Sequence, residues 1–205
     1  MKSIYSLTIL LTMLSFNISS GQNYDFDILT NSTFSTQNFP NQERTHLFNS
    51  SDFSYYMRFY SLNDSLKSRL YDTKNKQIHT FFVDSTDSMK LKYLKTLNIV
   101  KNDIKYYFDF SEIKTKKNHK EIIFKILNEK KRKIGNYKFK IKESKKNFFQ
   151  IFKHSATELF LLKKIEAPYN FTVLKAKGRN THGNMIKYEL KSLEKISLSV
   201  SLPSK

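Results

Sequence analysis

The chain has 205 residues, 36 Lys+Arg against 18 Asp+Glu for a formal net charge of +18, no Cys, no Trp, four Gly and three Pro. The lack of cysteine removes disulfides, thiol nucleophiles, thiolate metal sites and lipid-bearing cysteines, and glycines at only 21, 135, 178 and 183 leave no room for a dinucleotide or P-loop phosphate motif, so no such cofactor is expected. A chain of this length forms one domain that buries roughly 70% of its unfolded surface, enough for a core without staples.

Residues 1–21 read as a secretory signal peptide. Lys2 is the only charge before Asp25, a short apolar run extends from Ile4 to Phe16, and Ser19, Ser20 and Gly21 supply the small residues of a cleavage site near Gly21. The run is too short to span a bilayer, which needs about 20 residues. No later stretch is long and apolar enough either, so residues 22–205 are expected to form a single domain without a transmembrane span, secreted or periplasmic. A secreted chain without disulfides suits a bacterial periplasm or exterior.

From residue 24 onward apolar and polar residues alternate with period two, the pattern of a half-buried strand. Candidate strands are 24–30, 44–49, 55–60, 66–71, 77–83, 89–97, 106–110, 121–127, 137–142, 171–176, 185–190 and 196–202. The clearest are Tyr137, Phe139 and Ile141 interleaved with Lys138, Lys140 and Lys142, and Ile196, Leu198, Val200 and Leu202 interleaved with serines. Short polar links such as 72–76, 116–119 and 177–184 read as hairpin turns and are too short for crossover helices, which makes the sheet antiparallel. One short helix is predicted near 156–166, because Ser155 and Glu158 have the capping-box spacing, Lys163 and Lys164 suit a helix C-terminus and Pro168 closes the segment. The fold class is therefore α+β, mainly β, with a curved antiparallel sheet resembling a half-barrel.

Several strands are apolar on both faces. Tyr55, Met57 and Phe59 alternate with Tyr56 and Tyr60, Ile122, Phe124 and Ile126 with Ile123 and Leu127, and Phe81 and Val83 flank Phe82. Either a helix and a long loop cover the second face, or the sheet curls around an apolar cavity.

The charge is one-sided: residues 1–88 hold seven basic and eight acidic residues, residues 89–205 twenty-nine and ten. A basic face attracts the phosphates of nucleic acid or of an anionic membrane. The ratio of 31 Lys to 5 Arg favours a solvated surface instead, since Arg is preferred where phosphate is held bidentately.

Chemistry-bearing motifs are sparse. The histidines at 46, 79, 119, 154 and 182 form neither H-x-x-x-H nor H-E-x-x-H, so no metal site is expected, and no serine-nucleophile signature is present. No catalytic residue is assigned; a hydrolase using His and Lys would need them to converge in space.

The signal segment ending at Gly21-Gln22, the strand-rich first half, the run from Lys133 through Gly135, Tyr137 and Phe139, the Ala167-Pro168-Tyr169-Asn170-Phe171 stretch and the closing strand 196–202 together resemble secreted bacterial proteins near the GLPGLI and LolA/LolB-like lipoprotein-carrier group, although no G-L-P-G-L box is present. The resemblance implies a curved antiparallel sheet whose concave apolar face receives a helix or an acyl chain, and it carries no catalytic residues.

The leading expectation is a non-enzymatic binding protein for an apolar or amphiphilic, lipid-like ligand. Tyr56, Tyr60, Phe81, Tyr107, Ile123 and Leu127 would supply the apolar face, with Lys138, Lys140 and Lys142 at the rim meeting an anionic surface or headgroup. The alternatives are a secreted polyanion or nucleic-acid binder and the His/Lys hydrolase.

Overall fold

In the computed structural model, residues 21–84, 90–100, 103–156 and 160–203 are described; apart from Gly21, the predicted signal segment lies outside them. Every candidate strand coincides with an observed one except at single end residues: Asn49, Tyr106 and Leu202 lie just beyond the observed strands, and Met89 lies outside the described residues. The strands are β1 (Asn23–Thr36), β2 (Gln42–Phe48), β3 (Tyr55–Leu62), β4 (Ser65–Asp72), β5 (Gln77–Asp84), β6 (Lys90–Asn98), β7 (Tyr107–Phe110), β8 (Lys114–Lys116), β9 (His119–Leu127), β10 (Lys133–Glu143), β11 (Phe171–Arg179) and β12 (Met185–Ser201). Residues 185–190 and 196–202, expected as separate strands, are two parts of β12, which runs 17 residues.

All pairings are antiparallel and join the strands in one open sheet, ordered β6-β5-β4-β3-β2-β1-β12-β11-β10-β9-β7, with β8 also on β9. Two hairpin meanders therefore meet at a central pair, β1 against β12, that joins the two ends of the described chain. The register of this pair slips between Phe26 and Ile28 and again between Asn31 and Ser32, each time leaving one extra residue on β12. Such bulges bend a strand and tighten its twist.

Among the described residues the one α-helix is α1 (Phe149–Ala156), in a segment to which the sequence pattern assigned no element; of the predicted helix at 156–166, residues 157–159 lie outside the described residues and 161–166 form no helix. Asn147 caps α1, its side-chain oxygen accepting from the Phe149 amide at 3.1 Å. Phe149, Phe152 and Ala156 lie on one helical stripe and seat on the aromatic face of β9–β12; Phe152 packs edge-on against Phe139 at 4.8 Å and against Tyr188 at 5.2 Å. This stripe outweighs the capping pattern at Ser155, which sits in the last turn. Lys163, expected at a helix C-terminus, instead donates to the Ile104 carbonyl at 2.7 Å.

Both sheet faces are covered over β2–β5, whereas over β9–β12 only the face under α1 is. On the helix side, Ile122, Phe124, Ile126, Tyr137, Phe139, Phe171 and Tyr188 pack under α1, and the layer continues through Ile28, Phe48, Tyr56 and Tyr71 to Ile151 of the helix. On the opposite side Leu47, Met57, Leu70 and Phe81 are covered by Tyr24, Phe26 and Val200. Leu70 alternates with Tyr71, and Met57 with Tyr56, so these two clusters lie on opposite faces. The bent end of the β1–β12 ribbon thus folds back over β2–β5. Around Tyr56, Met57 and Phe81 the structure adopts the covered arrangement, while Ile123 and Leu127 of β9 stay half-buried on the face away from α1.

Close strand approach makes one glycine indispensable. A Cβ on Gly178 of β11 would lie 2.0 Å from the Asn136 carbonyl oxygen and 2.7 Å from the Tyr137 Cα of β10. Both are main-chain atoms that cannot swing aside, so Gly178→Ala is expected to cost about 3 kcal/mol as β10 and β11 are forced apart. Urea denaturation measures this; a wild-type midpoint would show that the strands separate without cost. Among the described residues no helix is long and apolar enough to cross a membrane.

Candidate functional site

The feature that most resembles a site arises where two central strands part company. β11 and β12 are paired only from Lys175–Glu189 to Arg179–Met185. Beyond that point β11 stays with β10, with Leu174 bulged out of the ladder, while β12 stays with β1. The divergence opens a crevice of about 400 Å³ lined by Lys142, Phe148, Thr172, Leu174, Leu190 and Leu193, with Lys191 and Glu143 also on its wall. Its floor is apolar: Phe148 directly precedes α1, and Leu190 packs against the main core. Its charged groups differ in availability. Lys191 already holds Glu189 at 3.1 Å, and Lys142 is exposed.

A second cleft, of about 440 Å³, lies on the face away from α1, over β10, β11, β12 and the β1–β2 turn. Lys138, Lys140, Lys175, Lys177 and Lys187 line it together with His119, Glu121, Glu189 and Asn41. His119 Nε2 stands 2.7 Å from Glu121 Oε1, and Lys138 Nζ reaches the same oxygen at 3.0 Å. These two contacts hold the Glu121 carboxyl below the usual range. Hydrogen bonds from Lys175 and Lys191 do the same for Glu189.

Beneath α1 runs a polar layer inside the core. Thr30, Ser32, Arg44, His46, Lys153, His154 and Ser155 are all buried. The Arg44 guanidinium lies 3.8 Å over the Phe34 ring and donates to the Ser155 carbonyl in the last turn of α1, where a cation is favourable. No ring nitrogen of His46 or His154 reaches a partner at hydrogen-bond geometry among the described residues. Both imidazoles are held well below their ordinary pKa, first by burial and then by the cations around them: Arg58 and Arg44 for His46, Lys153 for His154. The Phe53 main chain opposes the His154 shift without forming a proper hydrogen bond. Burial alone brings Lys153 down to about 8.

The nine residues expected to line a ligand face do not converge. Tyr56 is buried on the helix side, stacked on Tyr71 at 4.7 Å and against His154 at 4.4 Å. Tyr60 faces the same side, under the Arg69 guanidinium at 5.0 Å. Phe81 lies buried on the opposite face, in the cluster closed by Tyr24 and Phe26. Tyr107 pairs with Leu127, and Ile123 with Lys138, on the face away from α1, where Lys138 and Lys140 enter the basic cleft. Only Lys142 lines the crevice. Leu174, Leu190 and Leu193 were missed because their proximity depends on two strands losing register, which periodicity does not report.

The hydrolase reading needed His79 or His154 against a carboxylate. His79 is buried with Nδ1 2.7 Å from the Thr96 hydroxyl, and the Tyr24 hydroxyl, 3.3 Å from His79 Nε2, donates to Asp72 at 2.8 Å. Burial works to raise the Asp72 carboxyl, but hydrogen bonds from Asn75, Tyr24 and Gln22 outweigh it and hold the group low. Among the described residues, no group of three metal-ligating side chains is gathered.

No family model and no curated protein matches the sequence. In structure the chain is similar to a LolA superfamily protein from Nitrosomonas europaea, with TM-score 0.30 and 6% identity, over 85% of this chain and 87% of that one. It is also similar to a DUF1329 family protein from Desulfovibrio piger, with TM-score 0.26 and 8% identity, over 95% and 92%.

Proposed function

We propose that the protein is an exported, non-enzymatic binding protein for an anionic amphiphile, and that the crevice between β11 and β12 is where the ligand enters. The carrying observation is the crevice itself, which sets an apolar wall of Phe148, Leu174, Leu190 and Leu193 beneath Lys142. An aliphatic tail gains about 25 cal/mol for each Å² of apolar surface removed from water, and a headgroup carboxylate or phosphate gains a charge-assisted contact at the rim. A space of this size holds part of a tail rather than a whole diacyl lipid, so a single-chain amphiphile fits best. Export is supported by the charge and apolar pattern of the first 21 residues.

Titration of residues 22–205 with a fluorescent single-chain fatty acid tests the reading. Saturable binding is expected, weakened at least tenfold by Leu190→Asp and several-fold by Lys142→Glu. No uptake by the folded wild-type protein, or uptake unaltered in both variants, removes the crevice as the site.

A further inference from the structure

The lysines of the basic cleft are not spread evenly. Lys138 pairs across the β10–β11 ladder with Lys177, and Lys177 pairs across the β11–β12 ladder with Lys187. Three ammonium-bearing side chains therefore stand directly opposite one another on three consecutive strands, a row about 10 Å long at ordinary strand spacing. Like charges directly opposite on neighbouring strands are destabilising.

Elsewhere on these strands the sequence supplies acids. Lys175 and Lys191 share Glu189, Lys125 holds Asp109, Lys120 holds Glu143, and Lys138 at one end of the row holds Glu121. Lys177 and Lys187 have no carboxylate within ion-pair distance among the described residues, although both line a cleft. The cleft carries five lysines against Glu121 and Glu189. A concave surface with such an excess concentrates potential and draws counter-ions to its centre.

We propose that the Lys138–Lys177–Lys187 row is a binding site for a compact phosphate-bearing anion, which supplies the negative charge that the fold leaves out between Lys177 and Lys187. The length of the row suits one or two phosphoryl groups rather than a nucleic-acid strand, and lysine, a strongly hydrated point charge on a flexible stem, suits non-directional capture. This site is separated from the β11–β12 crevice by the Lys175–Glu189–Lys191 ion pairs and does not rest on an amphiphile binding there.

Calorimetric titration of the folded protein with inorganic pyrophosphate, run beside flotation with phosphatidic acid vesicles and with neutral phosphatidylcholine vesicles, tests the proposal. Pyrophosphate binding is expected to weaken at least tenfold in the Lys177→Gln, Lys187→Gln double variant and to be unchanged in Lys92→Gln, an exposed lysine on β6 at the far edge of the sheet. Loss of flotation with phosphatidic acid in the double variant would assign the phosphate to a lipid headgroup; binding of pyrophosphate alone would assign it to a soluble phosphate. Because the double variant relieves like-charge repulsion, its melting temperature at low salt should match or exceed that of the wild type, so failed folding does not obscure the result. Undetectable pyrophosphate binding by the wild type, or equal affinity in wild type and double variant, overturns the site.

Discussion

Acidification from about pH 7.5 to about pH 5 is expected to lower folding stability through His46 and His154. Both imidazoles are completely buried and held well below their ordinary value of 6.5. Their folded pKa is thus below their unfolded pKa, and between the two the unfolded chain binds more protons than the native one. Stability is full well above pH 6.5 and falls by at most about 1.4 kcal/mol per pH unit for each ring as the pH drops further. The charged neighbours that act on the pair, Arg44 on β2, Arg58 on β3 and Lys153 on α1, are all cationic, so they oppose protonation. Lys153 does not complicate this window. Its folded pKa of about 8 lies below the ordinary lysine value of 10.5, so its own contribution is lost between those two values and is constant below them.

Denaturation midpoints across this pH range measure the effect, and His154→Leu is expected to halve the slope. At neutral pH the same variant should be at least as stable as the wild type, because it removes a buried polar ring whose nitrogens lack partners among the described residues. A flat profile from neutral pH to pH 5 would falsify the assignment. His46 lies on the sheet and His154 on the helix, so the interface between α1 and the sheet is where hydrogen exchange should accelerate first.

Truncation of the Phe139 ring is expected to be comparably severe, at about 3–5 kcal/mol for Phe139→Ala. Phe139 is fully buried, with Phe152 at 4.8 Å, Phe124 at 5.8 Å, Phe149 at 6.1 Å and Tyr137 at 6.2 Å between ring centroids. Those neighbours belong to two strands and the helix, so no single element can collapse into the gap. A domain is stable by about 5–15 kcal/mol in total, and one such change consumes a large part of it. Phe82→Ala, at a site 37% exposed on β5, should cost less than about 1 kcal/mol. The contrast also tests the covered-sheet arrangement: if the face under α1 opened readily, Phe139→Ala would resemble Phe82→Ala.

The strands were legible because alternation survives wherever one face of a strand is buried. It failed in β12, where the two bulges reverse the phase of the pattern and made one strand read as two. The helix was misplaced for a different reason. Ser155 and Glu158 satisfy a capping rule that many Ser- and Glu-bearing segments satisfy, whereas the decisive signal was the spacing of Phe149, Phe152 and Ala156 against an aromatic face not visible locally. Apolar residues on both faces leave a covered second face and a cavity equally open to a reading of the sequence, and which cluster each side chain joins depends on the bend in β1–β12. Tyr56 and Phe81 thus ended on opposite sides of the sheet. Neither cleft was legible. The crevice requires strands that stop pairing, and the lysine row requires knowing which residue of β10 faces which residue of β11.

Pairing β1 with β12 also orders events in time. The middle of the sheet brings together Asn23 and Ser201, so it cannot close until the chain has been made through residue 201. The hairpins on either side are local and can form first, on a scale of microseconds, leaving joining of the two halves as the slow, entropically costly step typical of sheets rich in distant contacts. A nascent chain halted before β12 would present β1 as an unfinished edge, open to strand exchange or aggregation. The polypeptide would then remain pliable throughout synthesis and acquire its resistance to unfolding only with its final strand.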